Sequence, residues 1–251
     1  MGPRGWIGRR LVGIPREVRV RGGVGDGLVM GTALASADYA DGTNELPVQE
    51  AIRDALKGGD VFYDIGANVG FFGLIAARLV GAEGAVYAFE PVPGVAAEAR
   101  ANAARNELAN VHVIEAAASC RTGTATLVVT RHPGGASLSE ADAGRDATGK
   151  LEVRTVRIDD LVAAGAVRPP DAVKIDVEGV EPDVIDGLSA TLVSHRPTVV
   201  CELDAPEGDV LEAKVREVSA MLGELSFDVR LLPPSYARSG WHVLHLVATP
   251  V

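Results

Sequence analysis

The sequence predicts an α/β protein in which a mostly parallel sheet is covered by helices on both faces. From residue 61 onward, short apolar runs that end in an acid or a glycine alternate with longer helix-compatible segments. This alternation is typical of βα units, whose right-handed crossovers place helices on both faces of a parallel sheet. The 251 residues, 47% hydrophobic and 23% charged, suffice for one well-covered domain. We divide the chain into an N-terminal cap segment, residues 1–45, and one α/β domain, residues 46–251.

The predicted elements follow from local patterns of apolar residues and from the glycines and prolines between them. The cap segment lacks a helical period, so short strands or irregular structure are expected there. The later elements are predicted as helix 47–56, strand 61–64, helix 69–80, strand 85–89, helix 93–106, strand 111–115, an inserted hairpin within 116–130, strand 153–158, strand 172–176, helix 182–192, strand 198–202, helix 209–222, and strands 227–231 and 243–247. The turn-rich stretch 131–150 is a candidate lid.

The most informative segment is the turn between the first predicted core strand and its helix. The strand ends at Asp64, and Gly66, Asn68 and Gly70 follow before the apolar residues resume. Glycines at these positions let the chain turn sharply and pass close to a bound cofactor. This strand–turn–helix unit predicts a nucleotide-binding site, although the same turn also occurs in α/β proteins without a ligand.

Two acids decide which cofactor fits. Glu90 ends the second strand, about 20 residues past Gly70, where an acid can bind both hydroxyls of a ribose. Asp64, just before the turn, would repel a pyrophosphate. S-adenosylmethionine has no phosphate and carries a sulfonium and an ammonium, so a carboxylate is compatible with it. The sequence therefore predicts an S-adenosylmethionine site, with Asp64 holding the methionine ammonium or the turn around it.

Composition argues against several other classes of protein. The net charge of −10 disfavours binding to nucleic acid phosphates. No apolar run approaches the roughly 18 residues of a membrane span, and the start lacks a signal-peptide core. The two cysteines, Cys120 and Cys201, have no metal-binding spacing. A reduced, cytoplasmic protein without a membrane or nucleic acid partner is expected.

Four motifs give the chain a resemblance to a known family. They are Gly42–Pro47 (GTNELP), Asp64–Gly70 (DIGANVG), Ala88–Pro91 (AFEP) and Lys174–Gly179 (KIDVEG). In this order they resemble the FkbM family of S-adenosylmethionine-dependent methyltransferases, and an asparagine-rich helix with Asn102 and Asn106 is similar to that family as well. The resemblance covers roughly residues 40–205.

The resemblance implies a class I methyltransferase fold, a Rossmann-like, seven-stranded sheet with one antiparallel strand. It also implies methyl transfer to a hydroxyl of a small molecule, such as a sugar, a glycoside or a natural product. The segment around Ala117 is expected near the adenine, where small residues leave room for a flat ring. The same fold could methylate nitrogen or carbon, and a catalytically inactive cofactor-binding protein is a further alternative. An NAD-dependent oxidoreductase is disfavoured by Asp64.

The candidate catalytic residues are Asp176, Glu178 and His132. Asp176 and Glu178 follow a predicted core strand at the edge where open α/β sheets bind their ligands. The alternative roles for these acids are capping of the next helix and a salt bridge with Lys174. His132 lies in the candidate lid and has a side chain suited to deprotonating a hydroxyl near neutral pH.

Metal dependence and assembly are less constrained by the sequence. Asp176, Glu178 and Glu202 could together bind a divalent metal, but none of their spacings is a dedicated metal signature. We therefore expect no metal and an activity that survives chelation. The partner expected is a small-molecule acceptor, and the oligomeric state stays open, with a homodimer among the options.

Overall fold

The computed structural model describes residues 17–31, 37–130, 136–137, 147–177, 179–236 and 242–251. The strands are β1 (Glu17–Arg19), β2 (Val29–Gly31), β3 (Val61–Ile65), β4 (Ala85–Phe89), β5 (Val111–Ile114), β6 (Ala117–Ala118), β7 (Gly123–Thr130), β8 (Ala136–Ser137), β9 (Ala147–Val156), β10 (Ala172–Ile175), β11 (Thr198–Ala205), β12 (Phe227–Leu231) and β13 (His242–Pro250). The helices are α1 (Ala37–Asp41), α2 (Leu46–Ala55), α3 (Phe71–Val80), α4 (Pro93–Arg105), α5 (Ile158–Ala163), α6 (Glu181–His195) and α7 (Gly208–Glu224).

A seven-stranded sheet forms the centre of the molecule, with the order β12-β13-β11-β10-β3-β4-β5. The pairs from β11 to β5 are parallel, whereas β13 runs antiparallel to both β11 and β12. The predicted sheet with one antiparallel strand is therefore confirmed. The carboxyl ends of the parallel strands define one edge of the sheet, which we call the carboxyl edge.

Two hydrophobic cores lie on opposite faces of this sheet because alternate residues of each strand point to opposite sides. On β3, Tyr63 and Ile65 enter one core, which contains residues of α6 and α7. Phe62 enters the other core with residues of α2 and α3. The structure therefore has helices on both faces, as the alternation of strands and helices predicts.

The cap segment differs in part from its prediction. It contains the short helix α1 in addition to the expected strands β1 and β2. Asn102 on α4 accepts a hydrogen bond from the amide of Gly31 at 2.8 Å, and Asn106 accepts one from Val29 at the same distance. Because both asparagine side chains bind the backbone of β2, the asparagine-rich helix α4 fixes the cap segment to the domain.

A second, four-stranded sheet replaces the predicted local hairpin. Its order is β6-β9-β7-β8, and β7 pairs antiparallel with the ten-residue strand β9. β9 begins at Ala147, inside the candidate lid, and β8 also lies within that stretch. The prediction of a turn-rich lid is therefore wrong for residues 136–137 and 147–150, since pairing with β7 holds them in strands. The rest of 131–150, with His132, lies outside the described residues.

Candidate functional site

Polar side chains interrupt one apolar face of the central sheet at its carboxyl edge. Asp64 on β3 pairs in register with Lys174 on β10, and Glu202 on β11 pairs with His245 on β13. All four lie on the sheet face that packs against α2 and α3, because their strand neighbours belong to the core on the opposite face. With Glu45, which precedes α2, and Asp176, which follows β10, they form what we call the edge cluster.

The glycine turn is built by close contacts of its backbone. Gly66 has a φ of 79°, and a Cβ there would overlap the backbone carbonyl oxygen of Asp176. Gly70 has a φ of 88°, and a Cβ there would lie 3.4 Å from the Ala99 Cβ on α4. Glycine is required at Gly66 because the turn rests directly on the chain that follows β10.

The amides of this turn are already used within the protein. The Gly66 and Ala67 amides both donate to the carbonyl of Phe89 at 3.0 Å. The Asn68 amide donates to Oε2 of Glu90 at 3.0 Å, and Asn68 itself has a φ of 49°. A dinucleotide-binding turn needs free amides to bind a pyrophosphate, so this geometry disfavours a pyrophosphate ligand.

Glu90 lies directly after β4 and is 7% exposed. Its Oε1 accepts a second hydrogen bond, from the amide of Val92 at 2.8 Å. Burial raises the pKa of Glu90 to about 7, although both backbone hydrogen bonds favour the charged form. A carboxylate has about four acceptor positions, so two remain for the hydroxyls of a ribose.

Asp64 is completely buried against the first turn of α3, beside Gly73. The Gly73 amide points toward this carboxylate, yet neither oxygen completes a hydrogen bond within the described part of the chain. Burial raises the pKa of Asp64 to about 6, and the charge of Lys174 opposes that rise. A buried carboxylate without a completed hydrogen bond is costly, and the charge of its register partner Lys174 offsets part of this cost.

Asp176 is held by an ion pair with a buried lysine. Oδ2 of Asp176 lies 2.7 Å from Nζ of Lys174, whose side chain is 2% exposed, whereas that of Asp176 is 26% exposed. The alternative salt-bridge role is therefore real. Among the described residues Asp176 does not cap α6, whose N-cap is Val180 without a side-chain hydrogen bond. Glu178 lies outside the described residues.

The remaining predicted site residue, Ala117, begins the second sheet. It is buried in a small core with Leu127 and Val153, and Val92 packs partly against that core. Since the Val92 amide binds Glu90, Ala117 lies toward the Glu90 end of the site.

The structure adds two residues that the sequence interpretation left without a role, Glu45 and His245. Nε2 of His245 lies 2.6 Å from Oε2 of Glu202 and 3.3 Å from Oε2 of Glu45. Burial lowers the pKa of His245, but its hydrogen bond with Glu202 and the nearby carboxylate of Glu45 outweigh that effect and raise the pKa to about 9. Burial raises the pKa of Glu202, and the charge of Asp176 adds to that rise. The sequence signal for His245 is its place between Leu244 and Leu246 in an apolar strand.

Comparison with known proteins gives consistent results. The family model described as the methyltransferase FkbM domain matches residues 64–229. The chain is 31% identical over 197 residues to the 31-O-demethyl-FK506 methyltransferase FkbM of Streptomyces tacrolimicus, covering 68% of this chain and 70% of that protein. It is 28% identical over 155 residues to the hexuronic acid methyltransferase AglP of Haloferax volcanii, covering 61% of each chain.

A solved structure supports the fold. The methyltransferase FkbM from Methylobacillus flagellatus superposes with a TM-score of 0.51 at 15% sequence identity, covering 75% of this chain and 43% of that one. At this identity the likeness concerns the fold alone. Among the described residues, no helix has the length and apolar character needed to cross a membrane.

Proposed function

The chain belongs to the FkbM family of S-adenosylmethionine-dependent methyltransferases, and from this membership and the edge cluster we propose that it methylates a hydroxyl of a small molecule. A sugar, a glycoside or another natural product is the acceptor class we favour. The names of two relatives support this choice, since one is a 31-O-demethyl-FK506 methyltransferase and the other a hexuronic acid methyltransferase.

The proposal rests on the hydrogen bonds that the backbone amides of the glycine turn make within the protein. Its amides at Gly66, Ala67 and Asn68 bind Phe89 and Glu90, so they are not available to a pyrophosphate. Glu90 keeps acceptor positions for a ribose, and the orphaned carboxylate of Asp64 adds negative charge on the same edge. These residues fit S-adenosylmethionine, which would be held by Glu90 at its ribose, and they oppose a dinucleotide cofactor.

The chemistry divides between the cofactor and the protein. When bound, S-adenosylmethionine supplies an electrophilic methyl group on its sulfonium. The protein orients the acceptor oxygen and removes its proton during attack. Asp176 is our candidate for this role because it follows β10 at the carboxyl edge, is partly exposed, and is held by Lys174. Glu178 and His132 remain predicted candidates.

The setting of the reaction is also part of the proposal. The net charge of −10 argues against a nucleic acid acceptor. Cys120 and Cys201 are both free thiols, which is typical of a reducing compartment and supports the expected cytoplasmic location. The relative that acts on an FK506 precursor supports a role in natural-product biosynthesis.

Methyl transfer from isotopically labelled cofactor tests this proposal. The purified chain is incubated with a panel of uronic acids, glycosides and polyketide alcohols, and the labelled product is located by NMR. We expect label on an oxygen, and slower transfer by a Glu90→Ala control when the cofactor is not saturating. Label on a nitrogen or carbon atom of the acceptor would contradict O-methylation and make the protein an N- or C-methyltransferase. Tight cofactor binding without transfer to any acceptor would favour the inactive binding protein.

A further inference from the structure

We propose that Glu45, Glu202 and His245, which we call the donor set, form a binding site for one divalent transition-metal ion. One ligand atom from each residue lies within 4.8 Å of the other two. The donor set shares only Glu202 with the three acids that the sequence suggests as metal ligands. It also revises the expectation that the protein uses no metal.

The fold places these three side chains together from distant parts of the chain. Glu202 and His245 are register partners on antiparallel strands β11 and β13, so their side chains share a sheet face and lie close together. Glu45 immediately precedes α2 with a left-handed backbone, φ 44°. A non-glycine residue in this conformation is uncommon and costs energy, so the surrounding structure must hold it there.

The donor atoms face a common point. Oε2 of Glu202 and Oε2 of Glu45 lie 2.6 and 3.3 Å from Nε2 of His245. Oε2 of Glu45 has no hydrogen bond in the described structure, although Glu45 is only 6% exposed. The closest contact of Nε2 is with Glu202, and the Oε2 atom of Glu45 stays buried beside both groups.

The groups around the set orient it as a ligand shell requires. Tyr236 donates its hydroxyl proton to Oε1 of Glu45 at 2.8 Å, so that Oε2 turns inward. Oγ of Ser235 lies 3.2 Å from Nδ1 of His245. If Nδ1 carries its proton toward Ser235, Nε2 presents a lone pair to the centre. Such hydrogen bonds to the second nitrogen fix the tautomer of metal-binding histidines.

The charges nearby favour a cation at this point. Besides the donor set, Asp64, Lys174 and Asp176 complete the charged side chains of the edge cluster. The Lys174 ammonium binds Asp176 at 2.7 Å, so this pair is locally neutral. The charge of Lys174 also acts on Glu45, but only the imidazole of His245 lies in direct contact with both Glu45 and Glu202. A divalent metal would supply further positive charge and also satisfy the orphaned oxygen of Glu45.

The composition of the set indicates the class of metal. Imidazole nitrogen with two carboxylate oxygens suits Mn²⁺, Fe²⁺ or Zn²⁺, and three protein ligands leave coordination positions open. The most accessible member is Glu202, whose side chain is 17% exposed, whereas that of His245 is 1% exposed. An acceptor hydroxyl bound at an open position would lose its proton more readily. This catalytic role rests on the proposed function, but binding of the metal does not.

Metal binding is measured on the full chain without cofactor or acceptor. The protein is stripped with EDTA, dialysed against Mn²⁺ or Zn²⁺, and the bound metal is counted by mass spectrometry, with Mn²⁺ also followed by electron paramagnetic resonance. We expect one saturable equivalent per chain. The variants Glu45→Gln and His245→Asn should bind roughly tenfold or more weakly, on the scale of lost metal-site residues.

Matched controls separate the donor set from general surface charge. His242→Asn changes an exposed histidine on the same strand, and Glu212→Gln changes an exposed acid on α7, so both should bind like the original chain. Circular dichroism checks each fold, and Glu202→Gln replaces any variant that fails to fold. No saturable binding, or equal affinity in all folded variants, would overturn the site and leave the proposed methyl transfer untouched.

Discussion

Burial makes Glu90 sensitive to pH near neutrality. Its pKa is raised to about 7, so the folded protein holds this proton more tightly than the unfolded chain does. The contribution of Glu90 to stability is therefore present below about pH 4.5 and is lost as the pH rises through about 7. Ribose hydroxyls donate to the ionised form of Glu90, so cofactor binding is favoured at high pH.

We expect S-adenosylhomocysteine affinity to increase as the pH rises through about 7 and to level off above it, because binding releases the Glu90 proton. Below this pKa the affinity should fall by up to roughly tenfold per pH unit. Isothermal titration between pH 5.5 and 8.5 measures this. Glu90→Gln, which has no proton to release, should bind weakly at every pH. An unchanged pH profile in that variant would show that another group is responsible.

Asp176 separates catalysis from cofactor binding. Asp176→Asn keeps the shape of the side chain but removes its charge and basicity, so the transfer rate should fall by on the order of 10²–10⁴-fold while S-adenosylhomocysteine affinity stays nearly constant. The buried Lys174 would lose its ionic partner, so unfolding must be measured on the same samples. Asp186→Asn, an exposed acid on α6, is the control.

The outcome for Asp176 distinguishes two roles. A rate that falls in proportion to the folded fraction would show that Asp176 only stabilises Lys174. Normal turnover would leave Glu178 and His132 as the remaining predicted candidates.

At the scale of elements, the glycine turn joins the cofactor half of the site to Asp176. Gly66→Ala should lower the free energy of unfolding by at least about 1–2 kcal/mol, the cost of a left-handed alanine, and more through overlap with the Asp176 carbonyl. Cofactor affinity should fall as well. Urea unfolding and titration on one preparation measure both.

Gly94→Ala is the matched control for this change. A Cβ at Gly94 on α4 would meet nothing within 4 Å, and alanine suits a helix better than glycine. That variant should keep or slightly gain stability. Equal behaviour of the two alanine variants would contradict the close contact between the turn and the Asp176 carbonyl.

The elements also show what local patterns can predict. Strands 61–64 and 85–89 and the helices after them lie within one or two residues of their predicted bounds, because each carries its own apolar period and glycine or proline boundary. The sequence predicts a local hairpin and not the second sheet, because β7 pairs with the distant strand β9, for example Leu127 with Leu151. No local pattern encodes a pairing across that intervening stretch.

The same reasoning explains the candidate site. Asp64 lies near the end of β3, and Glu90 and the glycines follow strand ends, so their meeting at the carboxyl edge could be predicted from the parallel topology. Glu45 was counted with the cap segment, and His245 lies 43 residues from Glu202 on an antiparallel strand. Their meeting depends on the β11–β13 register, which only the whole fold determines.

At the scale of the whole molecule, the central claim is that one edge of the sheet binds S-adenosylmethionine and excludes dinucleotides. The most direct measurement is isothermal titration of the full chain with S-adenosylhomocysteine, NAD⁺ and NADP⁺ under one set of conditions. We predict that S-adenosylhomocysteine binds once per chain and that both dinucleotides give no heat of binding. Glu90→Ala should weaken the binding of S-adenosylhomocysteine by on the order of 1.5–3 kcal/mol. Tight binding of NADP⁺, or no binding of S-adenosylhomocysteine by the folded protein, would contradict the account.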